Sequence, residues 1–229
     1  MTVAAPKTAQ IVPSLLAADL ASLGARIRTA LSAGVEWISV DVMDGHFVPN
    51  LSFGPDHVRM AKSLGVPIVD AHLMVSNPQQ VSSWFIEAGA DIVTVHLEAC
   101  AEPRKILREI RRRGVKAGLA IKPRTPAQSL IEFLDELDLA LIMTVEPGFG
   151  GAKFIDAMLP KIKTVRQAIV NRGVDCWLQV DGGINGVTAP AAAAAGADSL
   201  VAGSAVFAAQ DMADAFKKLQ DAIKVRGRK

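Results

Sequence analysis

Trp37-Ile38-Ser39-Val40-Asp41-Val42-Met43-Asp44-Gly45 is an apolar β-type run that closes on a carboxylate and opens a glycine-containing loop. Trp177-Leu178-Gln179-Val180-Asp181-Gly182-Gly183 repeats that plan far downstream. Strands buried on both faces, as under helices in a parallel sheet, read as such runs. In a closed parallel barrel the carboxyl ends of all strands meet at one mouth, where active sites sit. Asp41 and Asp181 would face each other across that mouth as an acid/base pair. The plainer role for either is to cap the helix or turn that follows it.

Outward from these two runs, β-type and amphipathic helical stretches alternate along the chain. Strands are expected at 10–14, 37–42, 68–74, 92–96, 116–121, 140–145, 176–181 and 199–202. Helices are expected at 20–33, 78–88, 103–113, 127–136, 155–171, 187–195 and 212–225. Gly34, Gly65, Gly89, Gly114, Gly173 and Gly196 stand where helices give way to strands, the place for a left-handed residue. Eight strand–helix units in one α/β chain predict a single (β/α)8 TIM barrel over residues 10–225, preceded by a flexible segment 1–9 and followed by a basic tail 226–229. An open doubly wound sheet is the alternative, but it usually carries a glycine-rich fingerprint after its first strand. Here Ser14-Leu15-Leu16-Ala17-Ala18-Asp19 stands in that place.

The bulk composition fits one well-buried domain. The chain has 229 residues, 50% of them hydrophobic, and no linker or low-complexity stretch divides it. A net charge of +2 is too mild for a nucleic-acid surface. Arg111-Arg112-Arg113 and the run from Lys224 to Lys229 read as solvated helix ends, without the interleaved aromatics of a single-strand platform. The first nine residues lack the apolar stretch of a secretory signal, and no segment is long and apolar enough to span a bilayer, so a cytoplasmic location is expected. Cys100 and Cys176 have no CxxC partner and read as free thiols.

Three loops late in the chain carry the next signal. Gly148, Phe149, Gly150 and Gly151 follow the sixth strand, Gly182 and Gly183 the seventh, Gly203 and Ser204 the eighth. Glycines let backbone N–H groups approach an anion, and in barrels the last two loops commonly hold phosphate. The glycines of loop six also suit hinges for a lid. Asp41, His72 and Asp181 all fall at strand ends, an oxygen and imidazole set suited to Zn, Fe, Mn or Co. His46 and His96 are weaker candidates, explained as well by hydrogen bonding or loop packing. Asp70 shares a strand face with His72 and suits a structural or outer-shell role. Met43, Met74 and Met143 lie at or just past strand ends; they read as gap-filling core, or as an apolar wall that keeps water off a carbanion.

At these residues the chain resembles the ribulose-phosphate 3-epimerase family. The resemblance rests on the run from Val40 to Asn50, on Pro13 to Asp19, Asp70 to Met74, Thr94 to Ala99, Met143 to Gly151, Val180 to Asn185 and Val201 to Ala205. It implies reversible C3 epimerisation of D-ribulose 5-phosphate to D-xylulose 5-phosphate in the pentose phosphate pathway, through an enediolate and with a divalent metal. It implies Asp41 and Asp181 as the proton-transfer pair and Asp41, His72 and Asp181 as metal ligands. It also implies Ser14 at the substrate, the glycine loops with Ser204 around the phosphate, a sulfur-lined wall from Met43, Met74 and Met143, and a homodimer or hexamer.

The chain departs from the family pattern twice. Ser39 stands where the family usually has a histidine ligand, and Ala152 where many relatives have glutamine. By strand alternation Ser39 faces inward with Asp41. Three protein ligands with water still make a working zinc site. Other readings are an epimerase for another ketose phosphate such as D-allulose 6-phosphate, a sugar-acid phosphate decarboxylase, and a barrel that binds sugar phosphate without turnover. The decarboxylases usually carry a lysine beside the aspartates, and residues 37–50 contain none.

Overall fold

The computed structural model describes residues 8–224. Most of the expected N-terminal segment, and all of the expected basic tail, lie outside the described residues. Eight parallel strands run β1 (Gln10–Pro13), β2 (Trp37–Met43), β3 (Ile68–Met74), β4 (Ile92–His96), β5 (Lys116–Ile121), β6 (Leu139–Met143), β7 (Trp177–Asp181) and β8 (Ser199–Ala202). Each pairs with its sequence neighbour from β2 through β8, and β8 pairs back onto β1. An isolated parallel bridge between Ser14 and Ser39 brings the end of β1 against β2. That closure rules out the open doubly wound sheet.

Helices α1 (Leu23–Ser32), α2 (Pro55–Ser63), α3 (Pro78–Glu87), α4 (Pro103–Arg112), α5 (Ala127–Ile131), α6 (Leu159–Arg172), α7 (Thr188–Ala194), α8 (Ser204–Phe207) and α9 (Met212–Lys224) connect and cover the strands. Strand alternation divides the interior in two. Ile38, Val40 and Val42 of β2 point outward into the core shared with the helices. Trp37, Leu139, Leu141, Met143 and Val201 belong to a separate cluster that fills the barrel. Among the described residues no helix is long and apolar enough to cross a membrane, and Cys100 and Cys176 form no disulfide.

A repeated device at the amino ends of the strands sets their register. Asp91, Asp138 and Asp198 each stand one residue before an even-numbered strand. Asp91 N–H donates to Val69 O at 2.9 Å while its Oδ2 accepts Val69 N–H at 2.8 Å. Asp138 grips Ala117 the same way at 3.0 and 2.9 Å, and Asp198 grips Leu178 at 3.0 and 2.7 Å. A cation from a covering helix meets each carboxylate: Lys62 at 2.8 Å, Arg111 at 3.4 Å and Arg166 at 2.5 Å. A two-point clamp on one residue of the preceding strand leaves no freedom to slip.

Element boundaries differ from the sequence reading where side chains take over backbone partners. The expected helix 20–33 begins as a 3-10 turn, Leu20–Ser22, with Asp19 capping it through the Ala21 N–H at 3.1 Å. The stretch 127–136 breaks into α5 and a 3-10 turn, Leu134–Glu136. The sixth strand begins one residue earlier and ends two earlier than expected. Thr144 leaves it to donate its hydroxyl to Asp181 O at 2.9 Å and Gly182 O at 2.6 Å. Gly65 marks the end of helix α2 in the sequence, but its bounds are not legible there, because its buried stripe is only Val58 and Ala61. Its signal lay in Pro55 at the first helical position with Asp56 beside it.

Below the mouth the barrel is polar as well as apolar. Asp70 is fully buried and accepts Thr94 Oγ1 at 3.0 Å and Gln179 Nε2 at 3.3 Å; Gln179 also donates to Ser199 Oγ at 3.0 Å. Burial pushes the Asp70 carboxyl up to about 7, with the Asp41 charge adding to it. Gly118 makes this layer possible, since a Cβ there would meet Thr94 Cβ at 2.9 Å and run into its hydroxyl. Gly118→Ala is therefore expected to displace Thr94, strip a hydrogen bond from Asp70 and destabilise the fold by roughly 1–3 kcal/mol. Urea unfolding measures this; an unchanged midpoint would show that Thr94 yields without cost.

Candidate active site

At the carboxyl ends of the strands, β2, β3 and β7 bring Asp41, His72 and Asp181 together. Asp41 and His72 are register partners across the β2–β3 ladder, so their proximity follows directly from strand pairing. His72 Nδ1 lies 3.1 Å from Asp41 Oδ1 and 3.4 Å from Asp181 Oδ2. Asp41 and His72 are buried, while the Asp181 side chain keeps 14% of its surface open.

Two carboxylates this close in a dry site need positive charge between them. Burial disfavours the His72 cation, but hydrogen bonds and charge from Asp181 and Asp41 outweigh it and raise the imidazole to about 10. The aspartates are driven apart. Burial works against the Asp41 anion, yet His72, Ser14 and Ser39 hold its carboxyl below the usual range. Burial and the Asp41 charge push Asp181 up, against the pull of His72. Asp41 is thus the group poised as a base and Asp181 the one poised as an acid.

The three ligand atoms lie within 4.8 Å of one another. Ligands about 2.0–2.1 Å from a tetrahedral zinc stand about 3.3 Å apart, and the two separations from His72 Nδ1 bracket that spacing. Two carboxylate oxygens and an imidazole nitrogen also suit the harder first-row cations. The cluster therefore fits a divalent metal.

Ser39 faces inward as alternation predicts; its hydroxyl donates to Asp41 Oδ1 at 3.1 Å. Ser14 lines the cavity; its hydroxyl also donates to Asp41 Oδ2, and its Oγ accepts the Leu16 N–H at 3.2 Å. Both serines thus serve the Asp41 carboxylate.

Above the cluster opens a cavity of about 520 Å3. Met43, Met74 and Met143 form its buried floor; Gly148, Phe149, Gly150 and Gly151 run along one side, and Gly182, Gly183, Gly203 and Ser204 along another. Phe149 is 60% exposed, so loop six presents an apolar side chain at the rim. Two glycines have no substitute. At Gly182, with φ 117°, a side chain would run into Val145, and at Gly183, with φ 67°, into the Phe154 backbone. Loop six is tied to the loop after β2 by Asn50 Nδ2, which donates to Gly148 O at 2.8 Å. Asp44 anchors that second loop. Its oxygens accept the His46 and Phe47 N–H groups at 2.9 and 2.8 Å and both Ser76 donors at 2.7 Å, so despite some burial its carboxyl falls to about 2.

His46 is exposed and turned to the Asp44 carbonyl, away from the cluster. His96 is buried, with Nε2 3.0 Å from His72 Nε2, closer to the chemistry than its sequence context indicated. Asn50, Thr144 and Lys153 were not singled out from the sequence. Lys153 shares the cavity wall, and its only sequence signal was its place beside the glycine run.

Residues 10–207 match the ribulose-phosphate 3 epimerase family. A ribulose-phosphate 3-epimerase of Bacillus subtilis is 44% identical over 212 residues, covering 92% of this chain and 98% of its own. The chloroplastic ribulose-5-phosphate-3-epimerase of Arabidopsis thaliana is 43% identical over 92% of this chain and 75% of its own. Among solved structures, KGPDC from Streptococcus mutans superposes with a TM-score of 0.69 at 19% identity, over 95% of this chain and 98% of its own, which speaks for the barrel alone. With a family match over residues 10–207, epimerase relatives at 44% and 43% identity and the Asp41–His72–Asp181 cluster at its mouth, this chain is an enzyme of the ribulose-phosphate 3 epimerase family.

Proposed function

We propose that the chain interconverts D-ribulose 5-phosphate and D-xylulose 5-phosphate by two-base proton transfer at C3. The observation that carries this is the meeting of Asp41 and Asp181 at His72 Nδ1, with one carboxyl held low and the other pushed high. Asp41 takes the C3 proton from one face, and Asp181 returns one to the opposite face of the planar enediolate. In the reverse reaction the roles exchange. Gly182, Gly183, Gly203 and Ser204 turn backbone donors to the phosphate, and the methionine floor excludes water from the carbanion. Asp41, His72 and Asp181 would hold a divalent cation (zinc, iron, manganese or cobalt), which when bound polarises the ketone and spreads the developing charge. The absence of lysine from residues 37–50 weighs against a decarboxylase on the same barrel.

Asp41→Asn and Asp181→Asn are each expected to lose epimerisation by a factor of about 10² to 10⁴ with the fold intact by circular dichroism. In Asp181→Asn the remaining base should still exchange the C3 hydrogen of one epimer with deuterated solvent. Epimerisation at the parent rate in either variant would remove the two-base scheme.

Chelation is expected to abolish turnover of ribulose 5-phosphate, and one of the four metals added singly should restore it. Ser39→His should tighten zinc binding in a titration, since the position faces Asp41. Activity that survives exhaustive chelation would overturn the metal reading, and unchanged affinity in Ser39→His would take position 39 out of the ligand sphere.

Metal-free protein should also lose stability as pH rises. A histidine raised from about 6.5 in the unfolded chain to about 10 in the fold contributes stability that is complete below about pH 6.5 and lost as pH climbs toward 10. Thermal melts of chelated protein should fall across that window, and the fall should vanish in His72→Gln. An equal slope in both proteins would contradict the buried imidazolium.

A further inference from the structure

The His72 ring has a second end. Its Nε2 lies 3.0 Å from Nε2 of His96, with the two rings stacked at 27° and centroids 5.1 Å apart. Beyond, His96 Nδ1 lies 3.3 Å from Glu98 Oε2. Glu98 Oε1 accepts the Lys122 N–H at 2.7 Å and the Thr125 hydroxyl. Phe47, from the loop that follows β2, covers the outer face of His96 at 4.8 Å between centroids, and Lys122 Nζ sits 3.8 Å from the centre of that phenyl ring.

With His96, buried under Phe47, a neutral imidazole, the donors and acceptors along this line permit one order of protons. Glu98, gripped by two other donors, is a carboxylate and only accepts. His96 Nδ1 must then carry a hydrogen. A neutral imidazole so protonated has a bare Nε2, which can only accept from His72. Nε2–H of His72 therefore points outward to His96, and Nδ1 is the end turned to Asp41 and Asp181. We propose that His96 and Glu98 are positioning residues, an outer relay that fixes the rotation and tautomer of His72 so that Nδ1 is its cation ligand. Such partners raise the basicity of a metal-bound histidine, and their loss typically costs about 10–100-fold in metal affinity. In this chain the relay bears more weight, because Ser39 offers no imidazole on the other side of Asp41.

This inference rests on the metal reading above, and the test separates the two. Zinc affinity is measured by competition with a chromophoric chelator for the parent, His96→Gln and His96→Phe, each first shown to be folded by circular dichroism. His96→Phe should weaken zinc binding about 10–100-fold, while His96→Gln, whose amide oxygen can accept from His72, should stay within about threefold. Equal affinity in His96→Phe and the parent would overturn the relay. Nitrogen-15 NMR of the histidine rings in the metal-free parent gives an independent readout. It should find His96 protonated at Nδ1 and bare at Nε2, and the reverse tautomer overturns the proposal whatever the metal does. A parent that takes up no zinc would sink the metal reading, and the tautomer would still decide whether the relay exists.

Discussion

Parallel register is the constraint on which the rest of this molecule depends. Asp91, Asp138 and Asp198 each hold one residue of the preceding strand by both its N–H and its C=O. A slip of one residue would turn every side chain of a strand to the other face. The backbone ladders between β2 and β3 and between β6 and β7, which carry no such clamp, place Asp41 opposite His72, Met43 opposite Met74 and Met143 opposite Asp181. Clamped and unclamped ladders alternate around the barrel, and the loops beyond the carboxyl ends are left free to serve the ligand.

The mouth then solves a charge problem. Two aspartates and a histidine share a site with little water, where isolated charges are costly. The imidazole lies between the carboxylates, and the serine hydroxyls of residues 14 and 39 favour charge on Asp41 rather than Asp181. That asymmetry is what two-sided proton transfer requires, since one carboxyl must begin empty and the other loaded.

Much of this was legible in the sequence because it follows from periodicity. Apolar runs with Asp41, His72 and Asp181 near their ends, and glycines after the two aspartates, locate the barrel, its mouth and the cluster without any contact information. What was hidden depends on distances between strands. The pattern assigns His96 to β4 but cannot place it against the far nitrogen of His72. That the Ser14 hydroxyl also reaches Asp41 shows only once β1 is seen to close beside β2. Lys153 and Asn50 sit in loops whose paths have no period to read, and the bounds of α2 are hidden because its buried face is narrow.

The closing seam of the barrel has its own consequence. β1 and β2 meet through the bridge between Ser14 and Ser39, and these same two residues donate their hydroxyls to the two oxygens of Asp41. The carboxylate that faces the reaction also laces the first strand to the second. Across evolution, a barrel of this design that had given up turnover would still be under selection to keep Asp41 for the sake of closure. Asp181, with no such duty at the seam, is the residue whose loss or retention would record whether a descendant still works as a catalyst.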